Sequence, residues 1–174
     1  MKRLQLISVG ELDGVVLEGI AVELANHFAL PVEVLPQTID PHFALHGERR
    51  QYHSSKILEQ LQTLVTPHTW RILGVASNDL YIPILTFVFG EAMMGGPASI
   101  VSYYRLRQEF YGLPPDGELL RQRLLKEAVH ELGHTFGLKH CPNRQCVMSF
   151  SNMLADTDYK QQAFCAHCLQ KLNR

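Results

Sequence analysis

The sequence predicts an α/β fold in which a sheet of five strands is covered by helices. Three observations support this prediction. Short segments rich in β-branched, aromatic and other apolar residues recur along the chain, as is typical of buried strands. Segments with apolar residues at helical spacing separate the first strand segments, and this order favours a mainly parallel sheet. A longer helical pattern follows the last strand segment.

The first part of the chain alternates strands and helices. Residues 3–9 alternate in polarity and predict the first strand, and residues 31–35 and 70–76 predict the next two. Residues 15–28 and 54–65 carry apolar side chains three and four positions apart, as helices with one buried face do. Because each helix separates two strands, we expect these strands to lie parallel in one sheet.

The next part of the chain completes the predicted sheet. Residues 84–89 are a β-branched and aromatic run and predict the fourth strand. A glycine-rich turn at residues 90–97 leads to the fifth strand at residues 98–104. Asp116 is a suitable N-cap for a long helix over residues 118–136.

The composition limits the classes of function. The chain has 174 residues, which suits one domain with at most a small appendage. Its formal net charge of −1 provides no general attraction for nucleic acid or an anionic membrane. No apolar stretch reaches the roughly 20 residues of a membrane-spanning helix, and no signal peptide is recognisable. We therefore expect a monomeric cytoplasmic protein that binds neither nucleic acid nor a membrane.

The segment HELGHTFGLKH concentrates residues that suit a metal site. His130 and His134 lie four positions apart on the predicted helix, so both imidazoles can reach one zinc ion. Glu131 is rotated by about 100° from His130, where it can act as a base on water but not as a third ligand. Gly137 can end the helix in a left-handed conformation and turn the chain, so that His140 becomes the third ligand. Three protein ligands leave one position for water, as in catalytic zinc sites.

The four cysteines predict a second metal site. They are Cys141, Cys146, Cys165 and Cys168, and the last two have the two-residue gap common in zinc sites. Four thiolates form a closed tetrahedral site, which is typical of structural zinc. Two disulfides are an alternative, although disulfides are rare in the cytosol. An iron–sulfur cluster is another alternative, although the standard ferredoxin spacings do not fit. His167 is an alternative ligand for the structural zinc.

His140 and Cys141 are consecutive and connect the two predicted sites. Successive side chains in an extended segment point in opposite directions. One residue can therefore face the catalytic metal while the next faces the structural metal. The structural zinc would then hold His140 in place.

These C-terminal motifs resemble the archaemetzincin family of zinc metallopeptidases. The family pattern is HExxHxxGxxH, followed directly by Cys-x4-Cys-x-Met and later by Cys-x-x-Cys. HELGHTFGLKHCPNRQCVM and CAHC match every position of this pattern, and residues 87–106 are also similar to the family. The matching residues are His130, Glu131, His134, Gly137, His140, Cys141, Cys146, Met148, Cys165 and Cys168.

The resemblance implies a metzincin-type fold. Such a fold has a twisted, mixed five-stranded sheet, covering helices, an active-site helix below the cleft and a small C-terminal subdomain. Residues 1–137 would form the N-terminal subdomain with the active-site helix. Residues 138–174 would carry the third zinc ligand, a Met-turn and the structural zinc site.

The resemblance also implies a peptide or protein substrate and two zinc ions, one catalytic and one structural. His130, His134 and His140 would bind the catalytic zinc, and the four cysteines would bind the structural one. Glu131 would be the general base and acid, and Met148 would form the floor beneath the metal. The enzyme would then be a zinc-dependent endopeptidase or an aminopeptidase-like hydrolase.

The family further suggests where a substrate would lie. In metzincins an extended substrate pairs with the antiparallel edge strand that comes just before the last strand. Here that strand would be residues 84–89, and residues 80–82 could contribute to it. A buried core strand is the alternative interpretation of this segment. A tyrosine near the Met-turn assists the transition state in some metzincins, and Tyr159 is the candidate here.

Two other functions are compatible with parts of the sequence. A non-catalytic peptide-binding module could use the same scaffold with zinc for stability alone, although the intact Glu131 argues against it. A family of metal-dependent endoribonucleases shares the H-x3-H-x5-H pattern. That family lacks the adjacent glutamate and the four cysteines, and RNA binding favours a more basic chain.

Overall fold

The computed structural model describes residues 2–172. The strands are β1 (Arg3–Val9), β2 (Val32–Ile39), β3 (Leu45–His46), β4 (Gln51–His53), β5 (Thr69–Ala76), β6 (Leu80–Tyr81), β7 (Gly90–Ala92) and β8 (Ala98–Ser102). The α-helices are α1 (Gly14–Phe28), α2 (Ser54–Thr63), α3 (Gly117–Thr135), α4 (Leu154–Tyr159) and α5 (Ala166–Leu172). Short 3₁₀ helices lie at Pro41–Ala44 and Gln108–Tyr111.

Five strands form the main sheet in the order β2-β1-β5-β8-β7. β1 pairs in parallel with β2 and β5, and β5 pairs in parallel with β8. β7 lies at the edge and runs antiparallel to β8. β3, β4 and β6 form a small second sheet. The predicted α/β fold with a mixed five-stranded sheet and covering helices is therefore confirmed.

Helices cover both faces of the main sheet. Leu4 and Leu6 of β1 belong to a buried cluster with α1 and α3, whereas Ile7 and Val9 belong to a second cluster with α2. The two faces follow from the two-residue period of a strand. Full burial of one aliphatic side chain contributes about 1.5–3 kcal/mol to the stability of the fold. This packing fixes α3 against β7 and β8.

The prediction of a strand at residues 84–89 is wrong. Residues 82–89 form a loop with one isolated bridge, between Leu80 and Val88. The edge strand of the sheet is β7, directly after this loop. The loop has the apolar composition of a buried strand for a different reason, because most of its side chains line a cleft beside α3.

Several short elements have no clear signal in the sequence. α4, α5 and the second sheet are too short to show a hydrophobic period. β2 continues to Ile39, beyond the predicted end at residue 35, and α2 ends at Thr63. No helix within residues 2–172 is long and apolar enough to span a membrane.

Both ends of α3 follow the sequence prediction. Asp116 accepts a hydrogen bond from the backbone N–H of Leu119 at 2.9 Å, which confirms it as the N-cap. The helix ends at Thr135, and Gly137 adopts the left-handed conformation with φ +86°. The N–H of Gly137 donates to the carbonyl of His134 at 2.9 Å. The chain therefore reverses direction directly after the last turn of α3.

Candidate metal centre and active site

Three histidine side chains converge at the C-terminal end of α3. His130 and His134 lie one turn apart, and their Nε2 atoms are 3.1 Å apart. His140 follows the turn at Gly137, and the ligand atoms of the three rings all lie within 4.8 Å of one another. Two nitrogens bound to one tetrahedral zinc ion lie about 3.3 Å apart. The donor set and its spacing therefore fit a zinc ion.

The surrounding backbone orients two of these rings. His130 Nδ1 lies 2.8 Å from the carbonyl oxygen of Val147, and His134 Nδ1 lies 2.7 Å from that of Leu138. When each Nδ1–H donates to its carbonyl, Nε2 is left free to bind a metal. Burial lowers the pKa of both imidazoles, which keeps them neutral and able to act as ligands.

Glu131 is buried and lines the same cleft as the histidines. Burial is the main cause that raises the pKa of Glu131 well above its ordinary value, and the Glu127 carboxylate adds to this effect. The Lys160 ammonium opposes it. A carboxyl group with a raised pKa can accept a proton and later release it, as a general base and acid must.

Gly90 of β7 leaves the space that Glu131 occupies. A Cβ atom at Gly90 would lie 2.8 Å from Glu131 Oε1 and 2.5 Å from the carbonyl oxygen of Ile100. Both distances are shorter than van der Waals contact. The edge strand and the carboxylate can approach this closely only because position 90 is a glycine.

The cleft beside the histidines is mainly apolar. It has a volume of about 420 Å³ and lies between residues 82–89, β7, α3 and residues 150–152. Its polar groups are the three imidazoles, a few uncharged side chains and three carboxylates, those of Glu91, Glu127 and Glu131. No lysine or arginine lines it within the part of the chain that the structure describes. Large apolar side chains in its wall are Ile82, Leu85, Phe87, Phe89, Met94 and Phe150.

The four cysteines form a second cluster, with their sulfur atoms within 4.8 Å of one another. Cys141 Sγ lies 3.7 Å from Cys165 Sγ, and Cys146 Sγ lies 3.8 Å from Cys168 Sγ. Two sulfurs bound at 2.3 Å to one tetrahedral zinc ion lie about 3.8 Å apart, whereas a disulfide needs about 2.05 Å. All four thiols are free in this structure, and His167 lies outside the cluster. The arrangement fits a four-thiolate zinc site.

The chain connects the two clusters over a short distance. Cys141 is buried and donates its backbone N–H to the carbonyl of Met148 at 2.9 Å. Met148 lies in a tight turn, closed by a hydrogen bond from Ser149 N to Cys146 O at 2.9 Å. The Met148 side chain is fully buried and packs so closely on Gly133 of α3 that a Cβ atom there would overlap its sulfur.

Tyr159 does not join the cleft. It lies on α4 with 55% of its surface exposed, and the Arg144 guanidinium lies 4.8 Å from its ring centroid. The residues that line the cleft do not include Tyr159. This structure therefore gives no support to the role that the family resemblance suggested for it.

The structure adds charged residues that the motif does not contain. Glu91 of β7 accepts hydrogen bonds from Ser54 and Ser55 at the start of α2. Glu127 forms a buried ion pair with Lys160, and their Nζ and Oε1 atoms are 2.9 Å apart. The only sequence signal for Glu127 is its position four residues before Glu131, on the same face of the helix.

Comparisons with known proteins agree on one family for this chain. The model of Peptidase family M54 matches residues 12–174. An archaemetzincin of Methanocaldococcus jannaschii is 42% identical over 170 residues, which are 98% of this chain and 92% of the relative. These matches confirm the resemblance found in the motifs.

Solved structures agree with the sequence comparison. The crystal structure of an archaemetzincin from Archaeoglobus fulgidus, complexed with malonate, is 39% identical with a TM-score of 0.83 and covers 97% of this chain and 99% of its own. That of a zinc-dependent peptidase from Methanocorpusculum labreanum is 32% identical with a TM-score of 0.88, covering 98% of this chain and all of its own. The chain therefore belongs to peptidase family M54, the archaemetzincins, which are zinc metallopeptidases.

Proposed function

We propose that this protein hydrolyses peptide bonds at a zinc ion held by His130, His134 and His140, with Glu131 as the general base. The observation that carries this proposal is the convergence of three imidazole nitrogens beside a buried carboxylate in one cleft. A zinc ion bound there would polarise the peptide carbonyl and lower the pKa of water to about 7. Glu131 would take a proton from the attacking water and pass it to the leaving nitrogen.

The proposal includes a second, structural zinc ion at the four cysteines. Three imidazoles leave a coordination position open for water, whereas four thiolates complete a tetrahedral site. Residues 138–174 would then form a subdomain built around the structural zinc, and residues 1–137 would form the other. In this arrangement the C-terminal subdomain supplies His140 to the cleft beside α3 and β7 and packs Met148 against α3.

The substrate would lie extended along β7. This strand pairs with β8 along one side and is the last strand of the main sheet, so its other side can pair with a peptide. Residues 150–152 form another part of the cleft wall. A peptide held between β7 and this wall would pass in front of the three histidines.

The cleft composition favours bulky apolar residues beside the cleaved bond. Large apolar side chains form most of the wall. Burial of a bulky apolar substrate side chain against them would contribute about 1.5–3 kcal/mol to binding. An acidic residue would enter an apolar wall in which no lysine or arginine of residues 2–172 can pair with its carboxylate. Loss of hydration without a compensating partner therefore selects against acidic residues.

Digestion of a peptide library by the zinc-loaded protein tests this function. We expect cleavage that a chelator abolishes and added zinc restores, with peptides carrying leucine or phenylalanine beside the cleaved bond preferred over aspartate by at least about tenfold in kcat/KM. Mass spectrometry of the products distinguishes internal cleavage from removal of N-terminal residues. Binding of peptides without cleavage at full zinc content would instead favour the non-catalytic module.

Substitution of Gly90 by alanine is expected to displace the Glu131 carboxylate and to lower kcat/KM by at least about tenfold, because catalytic groups tolerate little displacement. The added methyl group should also reduce the free energy of unfolding by about 1–3 kcal/mol. Kinetics with a preferred peptide and urea denaturation measure both effects. Gly19→Ala in α1 is the matched control, since a Cβ atom there meets nothing within 4 Å. Parental kcat/KM in Gly90→Ala would show that the contact is unimportant.

A further inference from the structure

An ion pair between Glu127 and Lys160 is buried under the cleft. Glu127 lies on α3, one turn before His130 and Glu131, and Lys160 directly follows α4. Lys160 Nζ lies 2.9 Å from Glu127 Oε1, with 0% of the lysine side chain and 3% of the glutamate side chain exposed. The glutamate lines the cleft that contains the three histidines. A fully buried lysine at this place is costly and requires a reason.

Glu127 and Lys160 both contact the segment that follows Met148. The same Oε1 atom of Glu127 accepts hydrogen bonds from Thr157 Oγ1 at 2.7 Å and from Ser151 Oγ at 3.2 Å. Lys160 Nζ also donates to the carbonyl of Ser149 at 3.4 Å. One carboxylate and one ammonium group therefore hold both ends of residues 149–160 against α3.

Part of this segment forms one wall of the cleft. Phe150, Ser151 and Asn152 line the cleft, and Phe150 lies between the two residues that contact the pair. The Phe150 ring also contacts the ring of His140, with centroids 4.8 Å apart. The position of this wall therefore depends on the same residues that contact Glu127 and Lys160.

Attachment of α4 to α3 does not depend on this pair alone. Arg123 of α3 forms two hydrogen bonds to the Asp158 carboxylate, at 2.6 and 2.7 Å. Lys126 Nζ donates to the carbonyls of Thr157 and Asp158 at 3.0 and 3.1 Å. None of Arg123, Lys126 and Asp158 lines the cleft. Moreover, apolar residues of similar size often stabilise a fold as well as a buried ion pair does.

We propose that Glu127 and Lys160 are positioning residues that fix the wall at residues 150–152 and thereby set the affinity of the cleft for its peptide substrate. This inference rests on the proposed function, because it concerns the substrate of that cleft. It differs from the motif-based mechanism in that neither residue is a zinc ligand or the base. The pair acts through Ser149 and Ser151 on the wall between them.

The test compares Glu127→Leu/Lys160→Met with Asp158→Asn. The double variant removes all polar contacts of the pair without leaving a buried charge. Asp158→Asn weakens the ion pair between Arg123 and Asp158, which also attaches α4 to α3. We expect the double variant to raise KM for a preferred peptide by about tenfold while kcat changes by less than about threefold. In a Glu131→Gln background, the Kd of the uncleaved peptide should rise by the same factor.

The controls separate positioning from general damage. Zinc content and the absorption spectrum of the cobalt-substituted protein should equal those of the parent in both variants, and Asp158→Asn should keep the parental KM. Parental KM and Kd in the double variant would overturn the proposal. If the double variant does not fold, Ser151→Ala is tested in its place. We expect its KM to rise by about threefold. A KM equal to that of the parent would overturn the proposal. Lack of cleavage by the parent would instead count against the proposed function, and the Kd measurement would still test the pair.

Discussion

Replacement of Glu131 by glutamine is expected to lower kcat for peptide hydrolysis by about 10²–10⁴-fold, the range that a general acid–base group contributes. Glutamine has nearly the same size and can occupy the space beside Gly90, but it cannot take a proton from water. The variant should therefore bind the same amount of zinc and keep the stability of the parent. Steady-state kinetics, metal analysis and thermal unfolding measure these three properties.

The environment of Glu131 makes this variant informative. A buried glutamate can also serve only to pack the cleft floor, and a glutamine would replace it in that role without loss of activity. Glu118→Gln is a suitable control, because Glu118 lies at the exposed start of the same helix and pairs with Arg121. Hydrolysis by Glu131→Gln at the parental rate would require another base.

Local patterns in the sequence predict most of the main sheet. β1, β5 and β8 are buried strands whose composition shows directly in the sequence, and the amphipathic pattern of α1 and α2 places a helix between successive strands. The loop at residues 82–89 has the same composition, but most of its side chains line a cleft, and its backbone forms only one isolated bridge, from Val88 to Leu80. Composition alone does not distinguish a strand that is buried in a sheet from a loop that forms an apolar wall.

The residues of the candidate site likewise differ in whether local sequence patterns predict them. His130, His134 and Glu131 are placed by helix periodicity, and Gly137 explains how His140 returns to them. Contacts between Glu127 and Lys160 depend on how α4 packs on α3, and no short spacing encodes them. The close approach of Gly90 to Glu131 likewise depends on the register of β7 in the folded sheet.

Replacement of Cys165 by alanine is expected to reduce the zinc content from two ions to one and to lower the melting temperature by at least about 10 °C. Four thiolates from the segments on both sides of α4 would share one ion, and zinc binding at such sites contributes directly to folding. Metal analysis and calorimetry measure the two effects.

The same substitution should also weaken the catalytic site, because His140 directly precedes Cys141. Loss of the structural ion would release Cys141, whose backbone holds the Met148 turn under α3. We therefore expect zinc affinity at the three histidines to fall by about 10–100-fold, as when groups that orient a ligand are lost. His167→Ala is the matched control, since His167 is exposed between two of the cysteines and should change neither zinc content nor stability. If Cys165→Ala still binds two zinc ions, the four-thiolate site is excluded. If His167→Ala loses one zinc ion, the His167 imidazole, and not one of the four thiolates, is a ligand of the structural zinc.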